Sequence, residues 1–192
     1  MSKSKNILLL DNYDSFTHNL FHYLCYEGDC DVNIIRNDEI NLEEVDAYDS
    51  IVLSPGPGLP KDAGKMMQVI DRYAATKKIL GVCLGHQALA EYYGASLRNS
   101  HQPSHGISTS ITVQASSKLF TGLPTKFNVG RYHSWYVDEI SLPPELRITA
   151  VDESGTIMAL EHQTQEICSV QFHPESILSE NGLHILRNWI VT

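Results

Sequence analysis

The first 82 residues carry four short, mainly apolar runs: Ile7-Leu8-Leu9-Leu10, Val32-Asn33-Ile34-Ile35 with Asn33 as its polar interruption, Ile51-Val52-Leu53 and Ile79-Leu80-Gly81-Val82. Continuous runs of this length suit strands buried on both faces. Between the first two, "SFTHNLFHYLCYEG" sets Phe16, Leu20, Tyr23 and Leu24 on one helical face, with Gly28 as the stop. A short acidic segment over 42–46 leads to the third run, a helix is predicted over 62–75, and another helix follows the fourth run. Strand and helix in alternation predict an α/β fold, a mainly parallel sheet with helices on both faces.

Past residue 95 the pattern changes. Short alternating segments ("GISTSITV", "KFNVGRYHSWYV", "ELRITAV", "TIMALEH", "ICSVQF") predict antiparallel or mixed strands, the last ending at Phe172, and "NGLHILRNWIV" closes the chain as a helix. No repeat, low-complexity tract or linker interrupts the 192 residues, a length that suits one domain over 1–192.

A formal net charge of −9 and the lack of a basic stripe exclude nucleic acid and anionic membranes as expected partners. The apolar start is too short for a secretion signal, and no stretch approaches the ~20 residues that span a bilayer. Cys25, Cys30, Cys83 and Cys168 lack a disulfide framework or a C-x-x-C motif, which predicts a reduced, cytoplasmic setting. Cys25, Cys30 and Cys168 read as packing residues, as do Tyr92 and Tyr93. No zinc-spaced pair is present, and His101 and His105 of "HQPSHG" lack a third ligand, so no metal site is expected.

Cys83 stands apart because it sits where the fourth strand turns into its helix. Gly81-Val82-Cys83-Leu84-Gly85 has the form of a nucleophile elbow with Cys in place of Ser: a sharp turn exposes the side chain, and small neighbours relieve crowding. A thiol at a helix N-terminus is favoured as thiolate. A buried core cysteine is the competing interpretation.

Ligands of open α/β sheets bind beyond the carboxyl ends of the strands, and two more segments belong there. In "SPGPGLP" (54–60), Pro55 and Pro57 cannot donate, so Gly56 and Gly58 hold the nearest free N–H groups. Such a loop aims a backbone donor, from Gly56 or Gly58, at a developing oxyanion with the N–H of Leu84 as the second, although a plain turn has the same composition. It is not a phosphate-binding loop: five residues separate Gly58 from Gly64, and Met66 follows Lys65. In "ICSVQFHPES" (167–176), His173 follows a strand and Glu175 lies two residues on, across Pro174. A nucleophilic Cys needs a base, and the base needs a third group to orient it, roles that fit His173 and Glu175. His86 is the rival base but has no carboxylate nearby. Gln87, on the same helix, can lean back over the elbow.

Together, "GVCLGHQ", "SPGPG" and "QFHPES" resemble the class I glutamine amidotransferases, and "LLLDNYDSFTHNL", "RND", "RYHS" and "HPESILSE" extend the likeness from first strand to last helix. The long N-terminal signature resembles the small glutaminase subunits of anthranilate and aminodeoxychorismate synthases. The resemblance implies a flavodoxin-like fold, hydrolysis of L-glutamine, and transfer of ammonia to a chorismate-using synthase large subunit. It implies Cys83 as nucleophile, His173 as base and acid, Glu175 as orienting carboxylate, and Gly56 and Leu84 N–H groups as the oxyanion hole. It further implies a glutamine pocket of Gly56, Pro57, Gly58, Gln87, Ser134 and Trp135, no cofactor in this chain, and magnesium on the partner synthase. Trp135, Ile107 and Ala95 stand where related subunits commonly carry Leu, Lys and Gly. Three alternatives stay open: a non-catalytic module that only binds a partner, a partner-free cysteine hydrolase, and the glutaminase component of another amidotransferase such as GMP synthase.

Overall fold

The computed structural model describes residues 4–27, 30–100 and 104–192. Gly28, expected to stop the first helix, and His101 lie outside them. In chain order the elements are β1 (Lys5–Asp11), α1 (Thr17–Glu27), β2 (Cys30–Arg36), β3 (Ser50–Leu53), α2 (Met66–Tyr73), β4 (Lys78–Val82), α3 (Leu84–Tyr92), β5 (Leu97–Asn99), β6 (Ile107–Val113), β7 (Lys126–Arg131), β8 (Trp135–Val137), β9 (Leu146–Asp152), β10 (Ile157–His162), β11 (Ile167–Val170) and α4 (Gly182–Val191). The acidic segment forms a 3-10 turn over Leu42–Ala47, capped by the Asn41 side chain.

Among the described residues, nine strands form one sheet in the order β2-β1-β3-β4-β11-β10-β9-β6-β7. The first five are mutually parallel, and the remainder continue antiparallel from β11. The predicted parallel-then-mixed sheet is therefore present. β1 shows how its apolar run serves two cores at once, since side chains alternate across a strand. Ile7 and Leu9 pack with Leu20 and Leu24 of α1 and with Ile185, Leu186 and Trp189 of α4. Leu8 and Leu10 pack on the other face with Val69 and Ile70 of α2 and Leu84, Ala88 and Leu89 of α3.

Several local expectations are corrected. "KFNVGRYHSWYV" is two strands in different sheets: β7 ends the large sheet, while β8 pairs antiparallel with β5 in a separate two-stranded sheet. The segment 132–134 between them breaks the ladder and carries Tyr132, His133 and Ser134 into the site described below. β11 stops at Val170, two residues short of Phe172. Cys25 is exposed, whereas Cys30 and Cys168 pack partly buried against the core. Phe16 precedes α1 and packs on Tyr132 and His173 rather than on the core face of the helix.

Candidate active site

β3, β4 and β11 are parallel neighbours, so the segments leaving their carboxyl ends emerge side by side at one edge, with strands spaced ~4.8 Å apart. These are the Gly56 loop, the Cys83 elbow and the His173 segment. Residues as distant in sequence as Gly56 and His173 are thus brought together by strand order alone.

Cys83 adopts φ 51° and ψ −98°, a positive-φ conformation rare for a side-chain-bearing residue. The Cys83 N–H bonds to the Val170 carbonyl at 2.9 Å and its carbonyl accepts from the Gln87 N–H at 3.1 Å, so strand and helix both hold the strained turn. The flanking glycines let it form: a Cβ on Gly81 would stand 2.6 Å from the Gly85 carbonyl oxygen, and one on Gly85 2.5 Å from that of Leu53. The α3 N-terminus leaves the Leu84 N–H without an intrahelical acceptor, beside a buried thiol.

His173 is 2% exposed and donates from Nδ1 to Glu175 Oε1 at 2.7 Å; the Glu175 side chain is wholly buried. The other ring nitrogen, Nε2, is buried without a protein hydrogen-bond partner of ordinary geometry. Burial disfavours a charge on the ring, but hydrogen bonding and charge from Cys83, with the same from Glu175, outweigh it and hold the imidazole well above its usual pKa. The backbone locks the ring in place: the His173 N–H bonds to Gly130 O at 3.0 Å, and the His173 carbonyl accepts from Ser179 Oγ at 2.5 Å. Phe16 and Tyr132 meet the ring edge-on, with centroids at 5.2 and 4.9 Å, and Tyr132 in turn pairs its hydroxyl with Ser176 Oγ at 2.9 Å.

The rival base does not fit. His86 is fully buried, its Nδ1 paired with Ser169 Oγ at 2.9 Å, and burial, with His133 adding to it, lowers its pKa to about 3. It is a neutral core histidine.

Gly56 is partly buried, whereas Pro57 and Gly58 lie exposed at the rim. The loop is anchored by a buried amide network that no local sequence pattern announces. Asn12 donates from its backbone to Ser54 Oγ (2.8 Å) and from Nδ2 to Ser54 O (2.9 Å), and its Oδ1 accepts from Asn37 Nδ2 at 3.0 Å. "DNYDS" and "RND" carry this signal only as part of a family likeness.

Gln87 is 3% exposed and donates from Nε2 to the Trp135 carbonyl (2.8 Å) and to Gln171 Oε1 (3.2 Å). Gln171, absent from the predicted site, donates to Cys83 Sγ at 3.7 Å. Ser134 O accepts from the Ser100 N–H at 2.7 Å, whereas Trp135 O takes two donors, Gln87 and His133 Nδ1. The structure thus joins Gln87 to the Trp135 carbonyl, which is committed internally, and through Gln171 to the Cys83 sulfur, while Ser134 is bonded to Ser100. Among the described residues no cluster of three or more metal-ligating side chains occurs, and no helix is long and apolar enough to cross a membrane.

A strained cysteine at a helix N-terminus, a buried histidine–carboxylate pair beside it and a proline-flanked glycine packed on the first residue of that helix define a nucleophilic acyl-transfer site on a doubly wound sheet. Residues 8–192 match the family of class-I glutamine amidotransferases, to which this chain belongs. It is 43% identical over 186 residues to anthranilate synthase component 2 of Lactococcus lactis, covering 96% of this chain and 93% of that one. It is 45% identical over 186 residues to aminodeoxychorismate synthase component 2 of Escherichia coli, covering 96% and 98%. A solved Thermoplasma acidophilum protein, provisionally assigned to GMP synthase, superimposes with a TM-score of 0.89 at 30% identity, over 100% of this chain and 94% of that one.

Proposed function

We propose that this chain is the glutaminase subunit of a chorismate-using synthase, hydrolysing L-glutamine to glutamate and ammonia and passing the ammonia to a synthase large subunit. The observation that carries the reading is the buried His173–Glu175 pair at 2.7 Å, coupled to Cys83 at the sheet edge. The family membership and the two component 2 relatives support the substrate and the type of partner.

In this mechanism the Cys83 thiolate attacks the side-chain amide carbon of glutamine. The N–H groups of Gly56 and Leu84 face the developing oxyanion, which is where such donors contribute most. Imidazolium His173 gives its proton to the departing nitrogen, and ammonia leaves from a thioester on Cys83. His173, now neutral, takes a proton from water as its oxygen attacks the thioester. Collapse releases glutamate and restores thiolate and imidazolium. Glu175 holds the Nδ1–H tautomer and stabilises the imidazolium throughout. Both Nε2 hydrogens of Gln87 are engaged within the protein, so its Oε1 is the atom left to accept from the α-ammonium of glutamine. Ser134 O, with one donor already, adds a second acceptor, and Pro57 and Gly58 form the outer wall of the pocket. Magnesium belongs to the synthase partner in this scheme, and this chain needs no cofactor. A reduced, cytoplasmic setting belongs to the same proposal.

The test pairs the purified chain with the large subunits of anthranilate synthase and aminodeoxychorismate synthase in turn, with chorismate, magnesium and glutamine. Product formation that needs both glutamine and Cys83 supports the proposal, and the identity of the product distinguishes tryptophan from folate synthesis. The likeness to the Thermoplasma protein favours a GMP synthase partner as the second reading. Ammonia-supported but not glutamine-supported synthesis with both chorismate enzymes would shift the assignment there, or to a partner-free hydrolase.

A further inference from the structure

Gln171 lies one residue beyond β11, is fully buried, and is anchored through its backbone N–H to the Met158 carbonyl at 2.9 Å. A buried amide must satisfy its donors and its acceptor in a definite orientation, because swapping the two ends turns each hydrogen bond into a repulsion. Here every orientation is dictated by its neighbour. The Trp135 carbonyl can only accept, so Gln87 must present its nitrogen to it, at 2.8 Å. The second hydrogen of that nitrogen faces Gln171 at 3.2 Å, so Gln171 must turn its oxygen toward Gln87. Its nitrogen is then left facing Cys83 Sγ, at 3.7 Å. On the far side of Trp135 the same logic holds. His133 must carry its proton on Nδ1 to donate to that carbonyl at 2.8 Å, which leaves Nε2 to accept from Arg131 Nε at 3.1 Å. Arg131 is fixed in turn by Asp152 at 2.5 Å.

We infer that Gln171 is a positioning residue for the nucleophile, presenting an amide N–H to the Cys83 sulfur in an orientation set by the chain of bonds that begins at the Trp135 carbonyl. Donation to a sulfur anion favours thiolate over thiol. It also restrains rotation of the sulfur about its side-chain bond. His173 is thus not alone in holding the thiolate: a neutral donor just past β11 supports it and carries no proton of its own to lose across the working pH range. The inference rests on the assignment of Cys83 as nucleophile.

The test is the pH profile of Cys83 alkylation by iodoacetamide in the full chain, which requires no bound glutamine, followed by mass spectrometry at Cys83 and by residual glutaminase activity. Gln171→Met keeps the size and removes the donor; its alkylation at neutral pH should fall about tenfold, with the rise in rate displaced to more alkaline pH, the scale of one lost hydrogen bond to an ion. Gln171→Glu should fall further, because a carboxylate repels the thiolate. Gln87→Met frees the Gln171 amide to turn and should give a smaller fall, and the double variant should fall no further than Gln171→Met alone, since both act through one bond. A packing role would change thermal stability and leave the alkylation profile in place, which overturns the inference; should Gln171→Met not fold, the Gln87→Met profile decides. Labelling of wild-type Cys83 without loss of turnover would instead overturn the nucleophile assignment.

Discussion

Gly56 rests directly on Asn12: a Cβ at Gly56 would stand 2.6 Å from Asn12 Cβ, 2.7 Å from its carbonyl oxygen and 2.8 Å from Leu84 Cδ2. The residue after β1 and the first residue of α3 therefore form the seat on which the glycine loop lies. The two proposed oxyanion donors, Gly56 and Leu84, are held against each other by van der Waals contact, with the Asn12–Ser54–Asn37 network behind them.

Gly56→Ala should accordingly displace the loop and leave the fold intact. Loss of one oxyanion donor lowers kcat by about 10²–10³-fold. Glutaminase kinetics beside circular dichroism check this; a kcat within about threefold of wild type would remove Gly56 from the oxyanion hole.

Glu175→Gln keeps an acceptor for His173 Nδ1 but removes the negative charge that favours imidazolium. A fall in kcat of about 10²–10⁴-fold with KM nearly unchanged is expected, by analogy with other orienting carboxylates. Steady-state glutamate release separates the two parameters.

Stability should depend on His173 with a definite sign. Its folded pKa lies above that of the unfolded chain, so its contribution is fully present below about pH 6.5 and is lost as pH rises through the raised value. The difference in thermal midpoint between wild type and His173→Gln should shrink on alkaline titration. A difference that is flat with pH would show that the ring is uncharged in the folded state.

His86 has the opposite sign. Its pKa is lowered to about 3, so below about pH 6.5 the unfolded chain binds a proton that the folded chain refuses. Stability should fall steadily between those values, and His86→Gln, which keeps a partner for Ser169, should flatten that slope in acid melts.

Gly182 begins α4 against the active-site segment, where a Cβ would lie 1.7 Å from the Pro174 carbonyl oxygen. Gly182→Ala must separate the two, costing about 1–3 kcal/mol as overpacking and moving the backbone that carries His173 and Glu175. Urea denaturation and kcat should decline together; lost stability with full activity would show that the helix yields and the catalytic segment does not.

The buried strands, the elbow at Cys83 and the His173–Glu175 spacing are legible in the sequence because each is a local event. Continuous apolar runs, a turn that tolerates only small neighbours, and two residues fixed across a proline all lie within a few positions of one another. The βαβα order also places the Gly56 loop and the Cys83 elbow at one sheet edge, because parallel strands end on the same side, whereas the His173 segment joins them only because β11 pairs parallel with β4. His86 shows the limit of such reading. Its nearness in sequence to Cys83 makes it a rival base, and only its burial against Ser169 excludes it.

What the tertiary structure decided are contacts across long sequence separations, where periodicity carries no information. Phe16 fits the helical face of Leu20 and Leu24 by spacing, yet the chain enters α1 one residue later and the ring turns to His173. Tyr132 sits in a run that looks like one strand, and becomes a wall of the site because the chain leaves one sheet for another there. Gln171 and Gln87 are 84 residues apart and find each other only because β11 and α3 meet at the end of β4. The sequence alone determined which chemistry the chain carries, through residue types and local turns. The direction in which the Gln87 and Gln171 amides and the His133 ring point was settled by their burial, because a donor removed from water must face an acceptor.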